Sequence, residues 1–170
     1  VITLIRQIHH MALRRVVVTG LGAITPIGNN VNDYWNGLIN GVSGAAPITY
    51  FDTTNFKTKF ACEVKNFNVE DFIDRKEARK MDRYAQYALV STDEAVRDAN
   101  FDMDALDKDR VGVIWGSGIG GLETFQEEVM NFAAGNGVPK FNPFFIPKMI
   151  ADIAGGHISI KYGFRGPNFT

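Results

Sequence analysis

The first apolar signal along the chain is the β-branched run Val16-Val17-Val18, stopped by Thr19-Gly20-Leu21-Gly22. A continuous run, as opposed to an alternation, suits a strand covered on both faces of a parallel sheet, and a strand is predicted over 14–19. Asn30 stands where it can cap a helix beginning at Val31, with Asp33 near the positive end and Gly41 as the stop. From 42 to 74 the periodicity dissolves into Gly, Pro, Thr, Asn and Phe. That predicts a loop-rich insertion with one strand over 59–64. Helical spacing returns over 75–99, where Met81, Tyr84, Ala85, Ala88, Thr92, Ala95 and Val96 share a face, and one amphipathic helix packed on a sheet is expected.

Beyond the polar turn 107–110, Val111-Gly112-Val113-Ile114-Trp115 predicts a second buried strand running into Gly116-Ser117-Gly118-Ile119-Gly120-Gly121. Leu122, Phe125, Val129 and Phe132 then form a helical stripe. After the break Gly135-Asn136-Gly137-Val138-Pro139, the segment Pro143-Phe144-Phe145-Ile146-Pro147 leads into a helix of small residues around 149–160. Strands and helices in this order argue for an α/β layered fold. Gly166-Pro167 followed by Asn168-Phe169-Thr170 announces another buried strand where polar, loosely held residues would be usual, so the sequence reads as part of a longer protein.

Composition narrows the picture. With 170 residues, 45% of them hydrophobic, the chain can bury one core. A net charge of −1 gives no general basic field, so neither nucleic acid nor a membrane is expected as a partner. The single cysteine, Cys62, excludes an internal disulfide framework and is compatible with a reducing compartment; a cytoplasmic location is expected. Residues 1–10 precede Met11-Ala12-Leu13-Arg14-Arg15 and read as a tag or upstream extension, too short and too interrupted for a signal or spanning helix.

Gly116-x-Gly118-x-x-Gly121 formally fits a dinucleotide fingerprint, but the acidic strand end required about twenty residues later is replaced by the Gly-Asn-Gly-Val-Pro break. A tight turn that lets the backbone pass close to another surface is the plainer reading. Lys76, Arg79 and Lys80 fall at i, i+3 and i+4 on the predicted helix. Asp74, Glu77 and Asp82 nearly balance them, so spacing alone favours a solvated face over a docking patch for an acidic partner. Cys62 has no local cation, His or helix start to activate it and suits a small side chain within a strand. His157, alone in an apolar helix, reads as a satisfied packing residue, and no metal cluster or Ser-His-Asp set can be assembled.

Taken in order, 14–22, Thr25-Pro26-Ile27-Gly28, Arg75-Lys76-Glu77-Ala78-Arg79-Lys80-Met81-Asp82, the glycine turn 116–121 and Gly163-Phe164-Arg165-Gly166-Pro167 closely resemble the β-ketoacyl-[acyl-carrier-protein] synthase II family. The resemblance runs from about Arg14 to Thr170. It implies a thiolase-like layered α/β fold, first half only, with a mixed sheet and helices on both faces. It further implies that residues 11–170 are the N-terminal half of a condensing enzyme, ending before the nucleophilic cysteine. On that reading no catalytic residue is present, because the family's cysteine, two histidines and lysine lie beyond Thr170.

The implied reaction is decarboxylative Claisen condensation of an acyl thioester with malonyl-[acyl-carrier-protein] in fatty-acid elongation, by a homodimer. No cofactor is implied beyond the phosphopantetheine that the carrier supplies. By resemblance Ile119 borders the acyl tunnel, and Lys76, Arg79, Lys80 and Lys140 receive the acidic carrier protein, which reverses the preference drawn from spacing. The family often has a further basic residue where this chain has Pro139. A competing reading is a catalytically empty subunit like the chain-length factor of polyketide systems, and a nucleotide-binding module built on the glycine turn is a third.

Overall fold

The computed structural model describes residues 14–170, so the extension expected over 1–10 lies outside the described residues. The first helix, α1 (Val31–Ile39), starts as expected: the Asn30 side chain accepts from the Asp33 N–H at 2.8 Å. It also stops as expected. Gly41 adopts φ +63°, and the Val42 N–H reaches back to the Gly37 carbonyl at 2.9 Å, a Schellman-type closure. In the insertion, β1 (Ala46–Pro47) and β2 (Phe60–Ala61) pair antiparallel, Ala46 opposite Ala61 and Pro47 opposite Phe60. The ladder is shorter than the strand predicted over 59–64, and Pro47 brings no N–H to it. Cys62 consequently lies just past β2 and is exposed, which corrects its expected place inside a strand.

The helix predicted over 75–99 is two helices. α2 (Arg75–Ala78) ends in a turn at Arg79–Met81, and α3 (Arg83–Ala99) begins afresh with Asp82 as its N-cap. The small-residue helix is divided as well, into α5 (Phe145–Met149) and α6 (Ile153–Tyr162), because Ile150 turns extended at φ −66°, ψ 137°. Between these pairs come β3 (Val113–Ile114) and α4 (Leu122–Ala134), and β4 (Asn168–Phe169) follows α6.

β3 and β4 pair parallel, Val113 with Asn168 and Ile114 with Phe169. Further bonds flank the ladder, with Val113 N–H to Pro167 O at 2.8 Å and Trp115 N–H to Phe169 O at 3.0 Å. α6 lies on this pair, and α3 packs along α6. Ala85 and Ala88 of α3 and Ala154 of α6 are fully buried, and their small side chains allow the two helices to approach closely. Leu89, Ile158 and Val113 complete this core, and burying a side chain such as Ile158 contributes about 1.5–3 kcal/mol.

The pleat sends Val113 inward and Ile114 outward, so the face away from α6 leaves Ile114 81% exposed and Phe169 exposed with it. The strand predicted over 14–19 is not formed: the segment joins no ladder and Val16 is 89% exposed. A buried parallel strand needs neighbours on its edges, and none stands there among the described residues. The following residues are fastened to α3 by side chains instead, with Leu21 N–H to Asp98 and Ala23 N–H to Glu94, each at 2.9 Å.

Candidate functional site

The three cations of the predicted docking patch sit where α2 gives way to α3. Lys76 belongs to α2, Arg79 is its C-cap and Lys80 follows in the turn, so the patch is a helix end and a turn, not the single helical face that the i, i+3, i+4 spacing suggested. Lys76 and Arg79 are exposed and make no ion pair among the described residues. Lys80 pairs with Glu77 at 2.7 Å. An exposed pair of this kind is worth about 0–1 kcal/mol, so an incoming carboxylate can take Glu77's place. Lys140 lies apart, beyond the far end of α4, where it lines a cavity of about 270 Å³ with Glu128, Phe132 and Phe141.

The turn is held from behind by Asp82, which is 6% exposed. One carboxylate oxygen accepts from the Tyr84 N–H at 3.4 Å and caps α3. The other accepts from both the N–H and the hydroxyl of Thr124, at 2.9 and 2.6 Å, at the start of α4. The sequence offered Asp82 only as a balancing charge. An Asp that caps a helix across a break in an apparently unbroken helical pattern leaves little local signal.

The glycine turn joins β3 to α4 directly above that carboxylate. Gly116 and Gly118 face open space, whereas Gly120 and Gly121 are pressed against the backbone where α5 ends. A Cβ at Gly121 would stand 2.3 Å from the Lys148 carbonyl and 3.0 Å from Asp82 Oδ2, and Gly120 has φ +86°. Its close backbone approach therefore falls on the last two glycines, as the plainer reading of the motif expected. The Gly121 N–H donates to the Met149 carbonyl at 2.9 Å, and the Gly120 N–H to Ser117 Oγ at 3.2 Å.

Ile119 rides on the crest of this turn, 69% exposed. It does not line any of five cavities of about 270 to 540 Å³ found among the described residues. The predicted stripe on α4 is only partly covered. Phe125 and Phe132 meet Phe145 and Phe141 in a run of stacked rings with centroids 5.5 to 6.4 Å apart, yet both stay exposed on their outer sides, as do Leu122 and Val129.

His157 departs from its expected role as a satisfied packing residue: its buried Nε2 has no hydrogen-bond partner among the described residues. It borders a cavity of about 330 Å³ together with Asp74, Glu77, Met81 and Lys161. Burial pushes its pKa below the ordinary histidine value, with Glu77 opposing and Lys80 adding to the shift. The unfolded chain therefore takes a proton, near pH 6.5 and below, that the folded imidazole refuses. The stability tied to this group is full above pH 6.5 and is lost as pH falls through the window beneath it. Melting temperatures between pH 7.5 and 5 are expected to fall less steeply for His157→Leu than for wild type, and parallel slopes would contradict that.

A layered α/β core with a basic turn and a glycine turn meeting at one junction is consistent with a partial thiolase-like ketosynthase fold. Residues 13–170 match the family model described as beta-ketoacyl synthase, N-terminal domain, and the chain belongs to the β-ketoacyl synthase family. It is 48% identical over 158 residues to 3-oxoacyl-[acyl-carrier-protein] synthase 2 of Staphylococcus aureus (strain COL), covering 91% of this chain and 37% of that protein. The chain thus spans little more than a third of the length of that relative.

Among solved structures, the ishigamide ketosynthase/chain length factor aligns at TM-score 0.81 and 33% identity, over 92% of this chain and 38% of the other. A type II PKS acyl-carrier protein in complex with its ketosynthase bound to the hexaketide (AntDE:AntF) aligns at TM-score 0.72 and 27% identity, over 89% and 40%. Among the described residues, no helix is long and apolar enough to cross a membrane.

Proposed function

We propose that this chain is the carrier-receiving and acyl-accepting portion of a 3-oxoacyl-[acyl-carrier-protein] synthase of type II, acting in fatty-acid elongation. The observation that carries the reading is the 48% identity to a synthase 2, spread over 158 residues that include both exposed turns. The exposed basic turn Lys76–Lys80 suits an acidic carrier, since charge complementarity at a rim raises the association rate. A ketosynthase of related fold has been solved with its acyl-carrier protein, which supports the same partner here. Ile119 borders the path of the acyl tail, and Lys140 adds a second, separate contact for the carrier.

In the whole protein the reaction has two steps. A cysteine thiolate outside this segment takes the acyl group, forming a new thioester and releasing the carrier thiol. Malonyl-carrier then loses carbon dioxide, its carbanion attacks that thioester carbon, the new carbon–carbon bond forms, and the cysteine leaves as thiolate. Cys62 is an exposed free cysteine just past β2, and it is given no part in this chemistry.

The exposed stripe of α4 and the outer face of β3–β4 suit a homodimer and the rest of the protein, and the location is cytoplasmic. No cofactor is proposed: the Thr124 N–H at the α4 start, a donor that a bound pyrophosphate would need, is already taken by Asp82. The reading is tested by incubating the family-length protein carrying this segment with acyl-carrier and malonyl-carrier. Release of carbon dioxide with formation of 3-oxoacyl-carrier is expected. Decarboxylation without condensation would favour the chain-length-factor reading instead.

A further inference from the structure

The basic turn and the glycine turn are far apart in sequence, yet one buried carboxylate joins them. Asp82 ends the turn that carries Arg79 and Lys80, and its Oδ2 holds the N–H and hydroxyl of Thr124, three residues past Gly121. The connection is braced on both sides. Gln86 Nε2 donates to the carbonyls of Ala78 and Met81, at 3.1 and 3.4 Å, and so fixes the basic turn against α3. The Tyr84 hydroxyl donates to the Ile150 carbonyl, between α5 and α6, where the glycine turn is seated. Burial, with Asp82 and Asp152 nearby, pushes the Tyr84 phenol up to about 12, so it stays a donor across the neutral range. Arg83 and Glu123 form a second bridge at 3.1 Å, but both are partly exposed.

We propose that Asp82 is a positioning residue that anchors the Ile119 turn to the start of α3 through Thr124, so that acyl-tail acceptance is set by one rigid joint while carrier docking on the neighbouring basic turn is left to its exposed charges. The physical ground is the contrast between the two bridges. A buried carboxylate with three donors is costly to disrupt and holds one geometry, whereas the exposed Arg83–Glu123 pair is weak and replaceable. Gly121 must be glycine for the joint to close, because a Cβ there would meet Asp82 Oδ2 and the Lys148 carbonyl. The proposal rests on the functional reading above for the roles of the two turns.

The test uses the family-length protein with Asp82→Asn, Thr124→Val, Thr124→Ser and, as a control at the same junction, Glu123→Ala. Three quantities are read: carrier affinity, the ratio of long to short acyl-carrier kcat/KM, and amide hydrogen exchange over 118–124. Asp82→Asn and Thr124→Val are expected to change the long-to-short ratio by roughly 5- to 20-fold and to speed exchange at Thr124 at least about 10-fold, with carrier affinity within about twofold of wild type. Thr124→Ser keeps the hydroxyl donor and should restore both readouts, and Glu123→Ala should leave them unchanged.

A purely structural role would lower all rates together and leave the ratio alone; that result overturns the proposal, as does a Thr124→Ser variant no better than Thr124→Val. The functional reading fails separately. If charge reversal of Lys76, Arg79 and Lys80 leaves carrier affinity intact while Thr124→Val still shifts the ratio, the docking assignment falls and the Asp82 support of the Ile119 turn stands.

Discussion

Reversing Lys76, Arg79 and Lys80 together to Glu in the family-length protein is expected to lower kcat/KM for carrier-delivered acyl groups by roughly 10- to 100-fold, while a small acyl thioester that needs no docking reacts at nearly the wild-type rate. Lys76 and Arg79 carry the larger share, since neither is held in an ion pair among the described residues, whereas Lys80 must first give up Glu77. All three lie at the rim and outside the buried core, so reversal replaces attraction with repulsion without removing packed surface. The loss should shrink as salt is raised, because exposed charges are screened over about 8–10 Å near physiological ionic strength. Parallel losses for both substrates would point to damage at the fold or the catalytic centre, and the docking assignment would be withdrawn.

Ile119→Phe is expected to shift acceptance from long toward short acyl chains by roughly one to two orders of magnitude, the equivalent of an overpacking cost of about 1–3 kcal/mol borne only by long tails. The position suits such a test. Ile119 is exposed at the crest of its turn and Gly118 before it has open space around it, so a phenyl ring meets little resistance within this chain. Folding stability should therefore hardly change, and the effect would fall on the ligand. Competition between short and long acyl-carriers reads the ratio directly; an unchanged ratio removes Ile119 from the acyl path.

Local chemistry made several elements readable without coordinates. Asn30 and Gly41 bracket α1 as expected, because capping and left-handed termination are decided within a few residues. The run 111–115 was readable as a strand from its apolar composition, and the bonds around β3 extend from Val111 to Trp115, but it is buried on one face only, since Ile114 is exposed on the other. The basic and glycine turns were visible as motifs, and the family resemblance that they carried is the one to which the chain belongs.

What the residue order could not show lies where a partner far along the chain supplies the missing half of an interaction. The break between α2 and α3 falls at Asp82, which caps α3 with one carboxylate oxygen and with the other meets Thr124, forty-two positions on. The break between α5 and α6 stands where the Met149 and Ile150 carbonyls are drawn to Gly121 and Tyr84. Val16–Val18 has a strand's composition but no ladder, because a strand is completed by its neighbours and not by its own side chains. Periodicity and caps are properties of adjacent residues and can be read from their order. Helix breaks, seated glycines and paired edges are properties of contacts across the chain, and those arise only once distant segments are brought within hydrogen-bonding distance.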